Sequence, residues 1–287
     1  MRPMSDRHRF HRFRACDGGW MILALLMGAG CDEVSDHPPG PSASDRTVSP
    51  PPPLDDRRMD LGLQLLDRGS YPEAQVAFEA VLVDHPDHPR PRLLRAIAIQ
   101  KQGNYAVALE ELEEVGSRSG DFKGRDSIDH FRGWCLFYLG RPREAEAAFA
   151  AHLASTPGSA DSAFGRGVSL LELGRPDAAL DALDLALEIE TAGAGRRRSV
   201  GKTWIRRGDA LWELGRTEEA TRSFHKGVIQ FSDHYEGWAK LGRGHERLGD
   251  AEKAEWARRE ERRARIRVGA PVDGPVGAEV EETAGDR

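Results

Sequence analysis

A glycine returns six times along this 287-residue chain, at 69, 103, 140, 174, 215 and 249, and alanine stands five residues after each one. Those alanines are Ala74, Ala108, Ala145, Ala179, Ala220 and Ala254. The intervals between glycines are 34, 37, 34, 41 and 34 residues. A repeat of that length is too short for a domain but fits one pair of short helices. Such a pair cannot cover its own apolar stripe, so the units must stack and share one interior.

Further positions keep the same register. Seven residues before each glycine stands a small residue: Gly62, Ala96, Gly133, Gly167, Gly208 and Gly242. Four residues before it, five units carry Leu65, Ile99, Leu136, Leu170 and Leu211, and the sixth carries His245. Nine residues after it come Phe78, Leu112, Phe149, Leu183 and Phe224, with Arg258 in the sixth unit. Tyr71 and Tyr105 sit in the turns, Pro86 and Pro157 close units one and three, and Trp204 and Trp238 open the last two. Physical reasons tie these types to these places. Two helices cross closely only where one side chain is small. A glycine takes positive φ without steric cost and so stops a helix.

This set resembles the tetratricopeptide repeat family over residues 55–268. The resemblance implies an all-α fold: a right-handed superhelical solenoid of about six helix-turn-helix units, at 55–88, 89–122, 126–159, 160–193, 201–234 and 235–268. Residues 123–125 and 194–200 interrupt the period and are expected in loops or as longer helix ends. The second helix of the last unit is dominated by Arg and Glu and reads as a solvating cap.

In that family the first helix of each unit lines a concave groove. Transferred by position, the groove would take Met59, Leu63 and Leu66 from unit one, and Leu93 and Ile97 from unit two. His130, Trp134, Phe137 and Tyr138 come from unit three, and Phe164, Val168 and Leu171 from unit four. Ile205 and Trp212 come from unit five. So apolar a face suits a peptide or protein partner, with Trp134, Tyr138 and Trp212 the strongest anchors. The same stripe is also what a tightly curved solenoid buries as core, and both readings stand here. Family members that hold a chaperone's terminal carboxylate use groove Lys, Arg and Asn. The matching positions here are mostly apolar, so that ligand is not expected.

The first thirty residues read as an address. Arg2, Arg7, Arg9, Arg12 and Arg14 precede an apolar run from Trp20 to Met27, and Gly28, Ala29, Gly30 and Cys31 follow. A basic start, a short apolar stretch and small residues describe a secretory signal. The run is shorter than the roughly 20 residues a membrane span requires. Ala29-Gly30-Cys31 resembles the lipobox of bacterial lipoproteins, although Gly28 stands where that family favours leucine. The resemblance implies cleavage after residue 30 and a lipid on Cys31, holding the protein to a membrane on its extracytoplasmic, periplasmic side. A plain cleaved signal, an uncleaved anchor, or a start codon called too early are the alternatives; the last would make the chain a soluble cytoplasmic adaptor. Residues 31–54, rich in proline and serine, read as a disordered tether, and 269–287 as a disordered acidic tail.

Chemistry is sparse. The formal charge is −6, which gives no general footprint for nucleic acid. No catalytic residue, metal set or cofactor fingerprint is expected, so the chain reads as a non-catalytic scaffold, with envelope assembly the role that the lipoprotein resemblance implies. Gly195 to Thr203 looks like a phosphate-binding loop, but five residues separate its glycines where the motif needs four. The run Arg196, Arg197, Arg198, Lys202, Arg206 and Arg207 reads most simply as a solvated loop; the sharper reading is a basic patch for an acidic partner or lipid headgroups. His85 and His88 supply two metal ligands at most, and the carboxylates at 110, 111, 113 and 114 read as a solvated helix face. Cys135 reads as a buried structural thiol.

Overall fold

The computed structural model describes residues 54, 56–117, 120–193 and 196–272. The leader, Cys31, nearly all of the tether and the tail from 273 lie outside the described residues.

Twelve α-helices follow one another among the described residues: α1 (Arg57–Asp67), α2 (Tyr71–Asp84), α3 (Pro89–Lys101), α4 (Tyr105–Ser117), α5 (Ile128–Tyr138) and α6 (Pro142–Ser155). The second half holds α7 (Ala160–Glu172), α8 (Pro176–Ala192), α9 (Arg197–Glu213), α10 (Thr217–Gln230), α11 (Tyr235–Arg247) and α12 (Ala251–Arg267). Each helix packs on the next, and each odd-numbered helix from α1 to α7 also touches the following odd-numbered one. The fold is therefore all-α, with helix pairs stacked in chain order.

Local chemistry sets the ends of the helices. Asp56, Ser159 and Asp250 accept backbone N–H bonds and cap α1, α7 and α12. Prolines occupy the first turns of α2, α3, α6 and α8, where a missing N–H costs nothing. The six recurring glycines all lie at positive φ, between 65° and 87°. The residue after each glycine returns its N–H to the carbonyl five positions back: Ser70 to Leu65, Asn104 to Ile99, Arg141 to Leu136, Arg175 to Leu170, Arg216 to Leu211 and Asp250 to His245. This six-to-one bond satisfies carbonyls that the helix end would otherwise leave open. The same turn, built six times, is what the period encodes.

The paired small and large positions meet across each hairpin. Phe78, Leu112, Phe149, Leu183 and Phe224 are all buried. A methyl group added to Gly133 would lie 2.7 Å from the Phe149 ring, and one on Gly167 would lie 2.6 Å from Leu183. The ring of Phe149 is held from the other side as well, because a methyl group on Gly165 of α7 would lie 2.5 Å from it. Phe149 of α6 is thus clamped between a glycine of its own unit and a glycine of the next. In the last unit the large residue is Arg258, which pairs with Glu246 and Glu255 at the surface. On α12 only three alanines are buried. A solenoid end must face water, and this one does.

Residues 197–200 of the longer interruption are helix. α9 runs 17 residues, against 13 for α7 and α11, and its extra length lies at its N-terminal end. The shorter one belongs to the link between α4 and α5, where Gly124 stands at φ 98° and a 3-10 turn follows at Arg125–Ser127. That link folds over α3. A side chain at Gly124 would begin 3.3 Å from Leu93.

Candidate functional site

A cleft of about 790 Å³ runs along the first helices of consecutive units. α3 contributes Gln100 and Lys101, and Tyr105 enters from the start of α4. α5 contributes Trp134, Phe137 and Tyr138, and α7 contributes Asp161, Phe164, Val168, Leu171 and Glu172. The far wall is α9, with Arg196, Arg198, Ser199, Lys202, Thr203, Ile205 and Arg206, and His234 closes one corner.

One wall of this cleft is aromatic. Tyr105 and Tyr138 stack with ring centres 4.5 Å apart and planes 16° from parallel. Tyr138 lies over Trp134 at 5.9 Å, and Trp134 lies 6.3 Å from Phe164. Phe149 backs this ledge from the core, 5.2 Å from Trp134 and nearly perpendicular to it. Tyr138 remains 56% exposed although its ring is stacked on both sides. Burial pushes its hydroxyl pKa upward, with the nearby Tyr105 and Asp161 adding to the effect, so it stays a neutral donor. Asp161 accepts from the Trp134 indole at 3.3 Å and lies 3.3 Å from His130 Nε2. Burial would raise its pKa, yet these contacts hold it below the usual carboxylate value, so it is charged.

The groove positions expected from the family therefore divide. Trp134, Phe137, Tyr138, Phe164, Val168, Leu171 and Ile205 line the cleft, Val168 and Ile205 as nearly buried floor. Leu93 does not line it. It is 2% exposed in the core with Leu112, Val115 and Ile128, because the 120–127 link covers it. Met59 is likewise core, and Ile97 is half-buried against the same cluster as Leu93. Leu63 and Trp212 also lie outside the cleft. Trp212 packs against the core of the last two units, with the Arg247 guanidinium 5.1 Å above its ring. The basic run, read most simply as a solvated loop, instead forms one wall of the site. Its spacing carried the signal: Arg198, Lys202 and Arg206 recur every four residues, which puts them on one face of a helix.

His130 faces inward rather than into the cleft. Its Nδ1 and the Nδ1 of His152 each lie 2.8 Å from the hydroxyl of Ser162. One hydroxyl donates to only one of the two rings, so the other ring donates to it. Ser162 is fully buried, which leaves no room for a substrate at its oxygen. Burial, followed by the neighbouring His130, lowers the His152 pKa below 6.5, outweighing Asp126 and Asp129. The folded state therefore favours the neutral ring. Below about pH 6.5 the unfolded chain binds the proton first, so stability falls as pH falls through that value. Half-buried His234 and His245, both lowered by desolvation, act in the same direction. The urea midpoint is expected to drop between about pH 7 and about pH 5, and His152→Gln to flatten that drop. An equal drop in both proteins would remove His152 from the account.

Other candidates carry less. Cys135 is fully buried, and burial pushes its thiol up to about 12, so it is no nucleophile at neutral pH. Among the described residues no group of three or more His, Cys, Asp or Glu is placed to hold a metal. Among them, too, no helix is long and apolar enough to cross a membrane.

Comparison with known proteins agrees with the architecture. The tetratricopeptide repeat profile matches residues 59–121, 132–195 and 205–265, well over half of the chain. No curated protein matches it in sequence. Among solved structures, the Cut9–Hcn1 assembly of the APC/C aligns with TM-score 0.62 at 14% identity, over 72% of this chain and 39% of that one. This chain thus spans well under half of that relative's length. A repeat protein from Cytophaga hutchinsonii aligns with TM-score 0.56 at 16% identity, over 74% of this chain and 80% of its own. YrrB, described as having an unusual peptide-binding site, aligns with TM-score 0.52 at 17% identity, over 66% of this chain and 93% of its own. At these identities the likeness concerns the fold. With the profile covering three pairs of units and the same glycine turn closing all six first helices, the chain belongs to the tetratricopeptide repeat family.

Proposed function

We propose that this protein is a non-catalytic scaffold that holds a peptide or protein partner in the cleft formed by α5, α7 and α9. The observation that carries this reading is the aromatic ledge. Trp and Tyr are the side chains that most often anchor a partner, and a half-exposed Tyr138 stacked on Trp134 costs little entropy to order. A photo-crosslinking amino acid at position 138 of the full chain, in native cells, is expected to trap a discrete partner. The same amino acid at position 83, where Val83 on α2 is 79% exposed and away from the cleft, is the control. Identical adducts at both positions, or none at 138, would remove the cleft as the binding face.

The envelope location is part of the same proposal. Its support is the leader, with its five arginines, the apolar run and the Ala29-Gly30-Cys31 ending. A lipid on Cys31 would tether the repeats outside the cytoplasm and suit a role in envelope assembly. Labelling with a tagged fatty acid should mark the wild type and not Cys31→Ala. An unlabelled wild type would instead support a cytoplasmic adaptor that starts further along.

A further inference from the structure

The cleft is not electrically neutral, and its two walls differ. Five cations line it: Lys101, Arg196, Arg198, Lys202 and Arg206. The carboxylates that line it are Asp161 and Glu172. Asp161 is already engaged by Trp134 and His130. Among the cations, Arg206 pairs with Asp209, and Arg198 lies 4.5 Å over the Phe231 ring, an interaction that leaves its charge uncompensated. Arg196 and Lys202 make no ion pair among the described residues, and Lys101 acts through space on Asp161. α9 has no acidic residue in its first turn and no side-chain cap, so its open N–H groups add to the same positive end. All this stands in a chain of net charge −6, so the basic wall is a local arrangement and does not follow from overall composition.

We propose that the cleft selects an acidic peptide segment carrying an aromatic or large apolar side chain. The segment's carboxylates meet α9, and its apolar side chain lies on the Tyr138–Trp134–Phe164 ledge. This rests on the binding reading above and specifies its ligand. Charge complementarity favours it twice. The uncompensated cations of α9 repel one another until an anion arrives, and within a Debye length of about 10 Å they dominate the more distant net negative charge. A nucleic acid fits less well. Its unbroken row of phosphates would have to pass Asp161 and Glu172 on the aromatic side, where a peptide can place an uncharged side chain.

The test uses the full chain and three labelled synthetic peptides in fluorescence anisotropy. The first is a twelve-residue peptide of glutamates around one phenylalanine. The second replaces the phenylalanine by alanine, and the third replaces the glutamates by lysines. The first is expected to bind at least about tenfold tighter than either, and to weaken steeply between about 0.05 and about 0.3 M salt. Arg198→Glu with Lys202→Glu should cost it about tenfold or more, and Tyr138→Ala severalfold, with unchanged circular dichroism. Equal binding of the acidic and basic peptides, or indifference to the α9 double variant, would overturn the proposal. So would an oligothymidylate that binds the cleft more tightly than the acidic peptide. If the basic peptide binds instead and loses affinity with Tyr138→Ala, the cleft remains a binding site and only its stated ligand falls. If no peptide binds and crosslinking at 138 also fails, both readings fall together.

Discussion

Replacing Phe149 with alanine is expected to lower the unfolding free energy by about 3–5 kcal/mol, the largest loss of any single truncation in this chain. The side chain is fully buried, and its ring fills the space between two helices that carry glycine on the facing sides. Gly133 and Gly165 have nothing beyond the backbone with which to fill the resulting void, so the cavity cannot close by side-chain motion. The loss is not confined to one unit. Phe149 belongs to α6 but touches α5 and α7, so it couples unit three to unit four. In a solenoid, stability is nearly a sum over units and their interfaces, and weakening one interface uncouples the two sides. Urea unfolding followed by circular dichroism should therefore shift to lower denaturant and broaden. Binding should fall as well, because Trp134 loses the ring that backs it. An unchanged midpoint would show that Phe149 is not the clamp.

The second large effect is a contrast between two glycines at the same position of the repeat. Gly133→Ala is expected to destabilise by about 1–3 kcal/mol, because the new methyl would lie 2.7 Å from a ring held on its other side by Gly165. Gly242→Ala should do the reverse. Its nearest neighbours would be 3.7 Å away, an ordinary contact, and alanine favours a helix interior over glycine by about 1 kcal/mol. The difference comes from the partner position, which is Phe149 in unit three and Arg258 in unit six. Thermal or urea midpoints of the two variants should move in opposite directions. Movement in the same direction would show that the small residue is not set by the large one across the hairpin.

The inter-helix ion pairs are secondary to these effects. Arg95 bonds both oxygens of Glu111 across the second hairpin, and Lys240 bonds both of Asp209 between α11 and α9. All four side chains are largely buried, so the cost of taking the charges out of water offsets much of each pair's attraction. The first sets the register within one hairpin and the second the register between units five and six, more than either holds the stack together.

The sequence by itself determined the unit. Turn glycines, the small residue at the crossing and the large residue facing it are close in sequence, within one hairpin, so a period of 34 residues exposes them directly. The solvating end was equally legible, because Arg258 breaks that pairing in plain view. Which units face one another was decided only by the tertiary structure. Gly165 as the second jaw on Phe149, the 120–127 link lying over Leu93, and Trp212 packed away from the cleft all depend on contacts between units. So does the meeting of Tyr138 with Lys202, which come from different units on opposite walls. The reason is geometric. The repeat fixes each hairpin, but the lengths of the links and the added turn of α9 set how successive hairpins sit on one another, and that relation has no signature within a single period.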